Sequence, residues 1–264
     1  MPIGRRSAVA RSRLGAVFAG LDYIDRGAME HAYGPADEVP DLIRGLVDPD
    51  PAVREESLDA MYGGIHHQGD VYDSTLAAVP FLLEALTTPD TPGRDGIAGW
   101  LASVADLTHW PDEDTLDEDR AEMLRYARRA NARIVTVGPA LLALAADPDP
   151  ALRAEVPKLL VAIQGDLPGV ADLFMARLVE EDEPTVSRAL FDALGELPLD
   201  VEIGQLLTIA GAAPASTAVS ALAAVARCDP DRVPLDGVVG LLERAYAEEA
   251  PPPEPAMHCS LRTT

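Results

Sequence analysis

The sequence predicts an all-α chain built from stacked pairs of helices. Three observations favour this fold class: a short motif recurs along the chain, apolar residues follow each copy at helical spacing, and alternating strand-like runs are scarce. The 264 residues are 48% apolar but only 5% aromatic, which supplies a core and disfavours an all-β chain. We therefore expect one continuous array of helix pairs.

The recurring motif is an Asp-Pro junction between helices. Residues 48–54 read DPDPAVR and residues 147–153 read DPDPALR, while residues 182–188 form a looser copy. An acidic residue before proline is a favourable helix start, because its carboxylate accepts a bond from a free backbone N–H and the proline lacks that donor. We therefore predict that each copy begins a helix.

Apolar segments at a regular interval divide the chain into five helix pairs and a final helix. Such an interval indicates stacked units, since one pair is too thin to bury its own apolar face. Pro80 and Pro139 fall inside predicted helices and are expected to kink them. The pairs are 36–47 with 51–65, 73–87 with 93–107, 117–146 with 150–164, 168–180 with 184–197, and 201–211 with 215–228, followed by 235–248.

With these features the chain resembles HEAT-repeat proteins of the PBS-lyase HEAT-like type. The junction motif, the proline within the first helix and the period carry the resemblance over about residues 36–247. It implies a right-handed superhelix, or α-solenoid, of about five antiparallel helix pairs. The expected organisation is N-terminal cap helices at 1–35, the solenoid at 36–248, and a proline-rich flexible tail at 249–264.

A narrower resemblance lies in the N-terminal half of the chain. His31-Ala32-Tyr33-Gly34-Pro35, His66 with Gln68-Gly69, and Val79-Pro80-Phe81-Leu82 look like segments of actinobacterial HEAT-repeat proteins of undefined function. This resemblance implies no catalytic residues.

The charge composition restricts the class of partner. Against 44 acidic residues stand 21 basic ones, and the formal net charge is −23. Nucleic-acid binding requires clustered Lys and Arg, so the composition argues against it. No apolar run approaches the roughly 18 residues of a membrane span, and we expect a cytoplasmic protein. Cys228 and Cys259 fit no metal spacing, so neither a metal nor another cofactor is predicted.

Histidine and aromatic residues collect at predicted turns in the N-terminal half. Stacking could bring such turns together as a binding pocket, or as a metal or acid–base site at His66, His67 and Asp70. The same side chains could instead bond loop carbonyls and fix the packing. The candidate binding residues are His31, Tyr33, His66, His67, Gln68, Asp70, Tyr72, His109 and Trp110.

Two acidic surfaces are further candidates. In HEAT arrays the second helix of each pair lines the concave side, and mostly acidic charge there would steer a cationic partner. The acidic insertion near 108–120 is either a contact surface or an exposed loop before a helix. The resemblance makes Glu55, Asp59, Asp95, Glu155, Arg188 and Asp192 candidates for the concave face.

These features predict a non-enzymatic module that binds another protein with a basic surface, such as an immunity or regulatory partner. One alternative is an enzyme on the same scaffold. It would be a small-molecule lyase or isomerase that uses His66, His67 and Tyr72, or a DNA glycosylase-like protein that uses the arginine stripe at 125–133. A purely structural scaffold is the third alternative.

Overall fold

A computed structural model describes most of the chain. The described residues are 18, 20–23, 29–163, 165, 167–199 and 202–249. The predicted caps at 1–35 therefore lie largely outside the described residues, and so does the predicted tail after residue 249.

The described residues form twelve α-helices and one short hairpin. None of these helices combines the length and the apolar character needed to cross a membrane. The prediction of an all-α fold class is confirmed. The helices are α1 (Val39–Gly45), α2 (Pro51–Ala60), α3 (Asp73–Thr87), α4 (Arg94–Ala105), α5 (Glu118–Val135), α6 (Gly138–Leu144), α7 (Pro150–Ala162), α8 (Val170–Glu180), α9 (Pro184–Leu194), α10 (Glu202–Ala212), α11 (Ala215–Cys228) and α12 (Val238–Glu249). The hairpin pairs β1 (Glu30–His31) with β2 (Gly34–Pro35) in antiparallel register.

Helices α2, α7 and α9 begin at the three copies of the junction motif. The carboxylate of Asp50 accepts a hydrogen bond from the backbone N–H of Ala52, and that of Asp149 accepts one from Ala151, both at 3.0 Å. At the third copy the Glu183 carboxylate makes no capping bond to a described residue, although Glu183 occupies the N-cap position. The first two copies therefore share one capping geometry, because they share the Asp-Pro sequence.

Proline placement differs from the expectation at one of two positions. Helix α3 runs through Pro80 and ends at Thr87. The single kinked helix expected at 117–146 is instead two helices, α5 and α6, and Pro139 lies in the first turn of α6. The prediction of a kink at Pro139 is wrong, because proline is favoured in the first turn, where its missing N–H costs no hydrogen bond.

The second helices of successive pairs pack side by side. Helix α4 contacts α7, α7 contacts α9, and α9 contacts α11. Among the first helices, α3 contacts both α1 and α5. The core beneath them is one connected apolar cluster, in which Trp100, Phe174 and Phe191 are among the largest fully buried side chains.

Arginine side chains connect neighbouring junctions. Arg94, at the start of α4, donates to the Leu86 carbonyl at 2.9 Å and to the Asp147 carboxylate at 2.7 Å. Arg153, on α7, donates to the Asp147 carbonyl at 2.8 Å and bonds the Glu181 carboxylate. Each arginine therefore ties its own pair to the next one along the chain.

The first two pairs meet at a glycine. Gly93 adopts φ +71°, and a Cβ built on it would lie 2.5 Å from the backbone oxygen of Leu46. This left-handed conformation favours glycine, and the close approach leaves no room for a side chain. Gly93 thus allows the start of α4 to lie directly against the end of α1.

Candidate functional site

The predicted histidine and aromatic residues come from three segments that contact one another. These segments are the β1–β2 hairpin, the segment at 61–72 that follows α2, which we call the histidine turn, and the segment at 106–117 that precedes α5. The Tyr33 ring lies 6.1 Å from the His31 ring and 5.4 Å from the His67 ring, measured between centroids. The structure therefore brings the hairpin and the turn together.

His66 is a core residue and not an accessible group. Its side chain is 2% exposed, and its ring lies edge-on to Trp100 with centroids 5.9 Å apart. Nδ1 lies 2.9 Å from the Asp70 carbonyl and Nε2 lies 2.8 Å from the Ser103 hydroxyl. Since a carbonyl can only accept, Nδ1 donates to it. In a neutral imidazole Nε2 then carries no proton and accepts from the Ser103 hydroxyl. Burial lowers the pKa of His66, against smaller opposing effects of its hydrogen bonds.

Asp70 connects the turn to the acidic insertion. Its carboxylate accepts a hydrogen bond from Arg120 at 2.8 Å, and the Arg120 guanidinium lies 5.1 Å above the Trp110 ring centroid. His109 Nε2 reaches the Gly69 carbonyl at 3.3 Å. Burial raises the pKa of Tyr72, and the nearby Asp70 carboxylate raises it further. The insertion therefore packs against the histidine turn through several contacts.

The alternative metal or acid–base site at His66, His67 and Asp70 does not assemble. Both ring nitrogens of His66 are engaged, and Asp70 is paired with Arg120. Within the described ranges, no three His, Cys, Asp or Glu side chains are grouped so that they could hold a metal ion. Of the three residues of the lyase or isomerase alternative, His66 is therefore buried and bonded at both ring nitrogens, whereas His67 and Tyr72 are partly exposed.

The remaining turn residues are partly accessible. His31 donates from Nε2 to the Glu38 carboxylate at 2.6 Å, and its Nδ1 accepts from the Tyr33 backbone N–H at 3.0 Å. Tyr33 itself is 71% exposed. Gln68 is also exposed and adopts a left-handed φ of 53° within a short 3-10 turn at His67–Gly69.

His31 and Tyr72 also line an open cavity of about 480 Å³. It lies between the hairpin, the start of α3 and one side of α5. Sequence reasoning placed Asp119 in the acidic insertion but did not identify Glu30, Asp73 and Glu122, because the hairpin and α5 are far apart in the chain. The i, i+3, i+7 spacing of Asp119, Glu122 and Tyr126 on α5 is the local signal that these three share a helix face. The lining residues are Met29, Glu30, His31, Pro35, Tyr72, Asp73, Asp119, Glu122, Met123 and Tyr126.

The second acidic candidate is the surface formed by α2, α4, α7, α9 and α11, which we call the second-helix surface. Glu55, Asp59, Arg188 and Asp192 are exposed on it, whereas Asp95 and Glu155 are half-buried. Asp192 accepts hydrogen bonds from Arg227 of α11 at 3.1 Å.

Glu155 lies in a groove of this surface. Its carboxylate oxygen Oε2 is 3.0 Å from the place where a Cβ on Gly99 would stand, so it packs against α4. Burial raises the pKa of Glu155, Lys158 opposes this shift and Asp95 adds to it. A hollow of about 180 Å³ between α7 and α9 is lined by Glu155, Lys158, Asp192 and Glu196, among others. Such a hollow could take a side chain of a partner.

The arginine stripe at 125–133 lies on α5. Arg128 pairs with Glu113 of the insertion, while Arg125, Arg129 and Arg133 are exposed on α5. Three exposed arginines on one helix supply little phosphate neutralisation.

Comparison with protein-family models finds no match, and comparison with curated proteins finds none either. Function must therefore be inferred from the geometry of the second-helix surface and of the histidine turn.

Proposed function

We propose that the chain is a HEAT-like α-solenoid that binds another protein through the second-helix surface, and that the partner presents a basic face there. Such a role needs a continuous surface of repeated helices and a charge that a partner can complement. Support for the two requirements comes from different contacts.

The junctions support the solenoid. Asp50 and Asp149 cap their helices in the same way, and Arg94 and Arg153 each reach the following junction. The α4–α7–α9–α11 contacts follow the order of the chain. A stack in which each unit contacts its neighbour through a repeated set of bonds is typical of repeat proteins.

The main support for a basic partner is that some arginines of the second helices are buried while several carboxylates are exposed. Arg94 and Arg153 turn toward the junctions, where their side chains are 10% and 13% exposed and paired with acids. Carboxylates of the same set of helices, including Glu55, Asp59 and Asp192, stay exposed. Burying these two arginines lowers the positive charge of the surface. Arg188 and Arg227 stay exposed, so the negative charge that favours a cationic partner is concentrated on α2, at Glu55 and Asp59.

The partner is tested by affinity capture with a matched pair of variants. In the surface variant, Glu55→Gln, Asp59→Asn and Asp192→Asn remove three carboxylates from the second-helix surface. In the control, Asp112→Asn, Asp114→Asn and Glu118→Gln remove three from the insertion. We expect the wild type and the control to retain a basic protein from the source cytosol, released as salt rises, and the surface variant to lose it.

Equal capture by both variants, or capture that salt does not weaken, would contradict the proposal. Loss of capture in the insertion variant alone would instead assign the contact to the insertion. The captured protein is identified by mass spectrometry, and its binding to the purified full chain is then measured directly.

A further inference from the structure

The cavity between the hairpin and α5 carries concentrated negative charge. Four carboxylates line it, Glu30 from β1, Asp73 from the start of α3, and Asp119 and Glu122 from α5. Its lining includes no Lys or Arg side chain. An open cavity with this lining attracts cations, because nearby carboxylates raise each other's electrostatic energy until a positive group neutralises them.

The carboxylates retain capacity to accept further hydrogen bonds. Asp73 Oδ1 accepts from the backbone N–H groups of Glu30 at 3.0 Å and of Ser74 at 2.7 Å. Glu122 Oε1 accepts from the Tyr126 hydroxyl at 3.1 Å. The side chains of Glu30 and Asp119 are exposed and line the cavity. A carboxylate has about four acceptor sites, so each of the four can take a donor from a ligand.

The rest of the lining suits an organic cation. Tyr72 and Tyr126 contribute aromatic rings, and Met29, Met123 and Pro35 contribute apolar surface. An ammonium group is attracted to the face of a tyrosine ring, and its aliphatic chain is stabilised by apolar contacts. Burial, and then the hydrogen bond and charge of Glu122, raise the pKa of Tyr126; Asp73 adds a smaller effect and Arg129 opposes it.

The spacing of the acids does not suit a single metal ion. Among the described residues, no three potential metal ligands are grouped closely enough to bind one. The four carboxylates come from three separate elements around a cavity of about 480 Å³. Separated negative groups fit a ligand whose positive groups are also separated.

We propose that this cavity binds an elongated aliphatic cation that carries two or more ammonium groups. A free polyamine and the lysine side chains of a protein segment share this chemistry. None of the lining residues belongs to the second helices, so the site is independent of the second-helix surface.

The proposal is tested by isothermal titration calorimetry of the full chain with spermidine and with trilysine, at about 150 mM salt so that diffuse attraction to the acidic chain is screened. We expect saturable binding with one site per chain. Asp119→Asn with Glu122→Gln should weaken binding about tenfold or more, because two charge-assisted hydrogen bonds are lost.

The matched control is Asp112→Asn with Glu118→Gln, which removes the same charge outside the lining and should change affinity less than about twofold. A second variant, Tyr126→Leu, keeps the charge and should still weaken binding, because it removes a ring. Circular dichroism verifies that each variant is folded.

The two ligands separate the sources of the cation. Binding of spermidine alone indicates a free polyamine, and binding of trilysine alone indicates a protein segment; either result supports the proposal. Binding of neither ligand overturns it, as does an equal loss of affinity in the lining and control variants. The variant lacking Glu55, Asp59 and Asp192 carboxylates should bind spermidine like the wild type, so failure of the proposed protein-binding function leaves this result unaffected.

Discussion

Arg153 holds Glu181 through two parallel hydrogen bonds, from Nε to Oε2 at 2.9 Å and from Nη2 to Oε1 at 2.8 Å. Arg177 adds a third bond to Oε2 at 3.2 Å. The Glu181 side chain is only 2% exposed, so the pair is nearly removed from water. Because Arg153 lies on α7 and Glu181 lies between α8 and α9, this pair joins α7 to the start of α9.

Arg153→Met should lower the free energy of unfolding by about 2–3 kcal/mol, since it leaves a buried carboxylate with one remaining arginine. Urea denaturation measures the change. The control is Arg44→Met, whose exposed pairs with Asp41 and Asp22 should together contribute less than about 1 kcal/mol. Equal losses in the two variants would show that the Arg153 pair has no special role in stability.

Acid should destabilise the fold through Glu181. The pKa of Glu181 is lowered from 4.5 to about 2, and the hydrogen bond from Arg153 is the largest cause. Between these values the unfolded chain binds a proton that the folded chain does not, so stability is complete above about pH 5 and falls toward pH 2. The contribution is on the order of 3 kcal/mol.

The Glu181→Gln variant isolates this contribution. At pH 7 it should be less stable than the wild type, and the difference should shrink as the pH falls below about 5. Urea unfolding measured at a series of pH values gives this difference. A gap that stays constant with pH would mean that Glu181 is not held ionised by its arginines.

His66 should make the fold sensitive to mild acid. Burial is the main cause that lowers its pKa, whereas in the unfolded chain the imidazole takes a proton near pH 6.5. Stability from this group is therefore complete above about pH 6.5 and declines as the pH falls below it. His66→Gln should be less stable at pH 7.5, and its disadvantage should narrow at pH 5.5. His67→Gln, at a partly exposed ring, serves as the control, and a gap for His66→Gln that widens in acid would contradict the prediction.

The two capping aspartates should contribute equally to stability. Asp50→Ala and Asp149→Ala each remove one capping bond and should each cost about 1 kcal/mol in thermal or urea unfolding. Asp59→Ala provides the control on α2, because an acid in the last turn of a helix is unfavourable to it and its removal should cost nothing. A large difference between the two capping variants would show that the copies of the motif are not equivalent.

Local sequence patterns were sufficient to predict most helix starts. The Asp-Pro motif places the starts of α2 and α7 at Pro51 and Pro150, where the structure has them. Capping bonds form between residues two positions apart, so the sequence itself contains both partners. Pro139 also marks a helix start, since proline is favoured in a first turn. Its position begins α6 and separates it from α5, where the apolar pattern alone favoured one helix.

The candidate site was predicted only in part. The sequence placed His31, Tyr33 and His67 at turns that stacking could bring together, and the Tyr33 ring lies 6.1 Å from His31 and 5.4 Å from His67. It could not separate His66 from His67, although the first is buried and the second is partly exposed. Adjacent positions at the end of a helix point in different directions, and the packing of Trp100 and Ser103 decides which of them enters the core.

The sequence by itself determined the helical class, the junctions and the acidic balance, since these depend on residue type and on bonds between near neighbours. Only the tertiary structure decided that Asp147 and Glu181 bind arginines of the preceding units, and that Glu30, Asp73 and Glu122 surround one cavity. These groups are separated by tens of residues in the chain. Their meeting depends on how the helices stack, and the stacking is set by the summed burial of many apolar side chains.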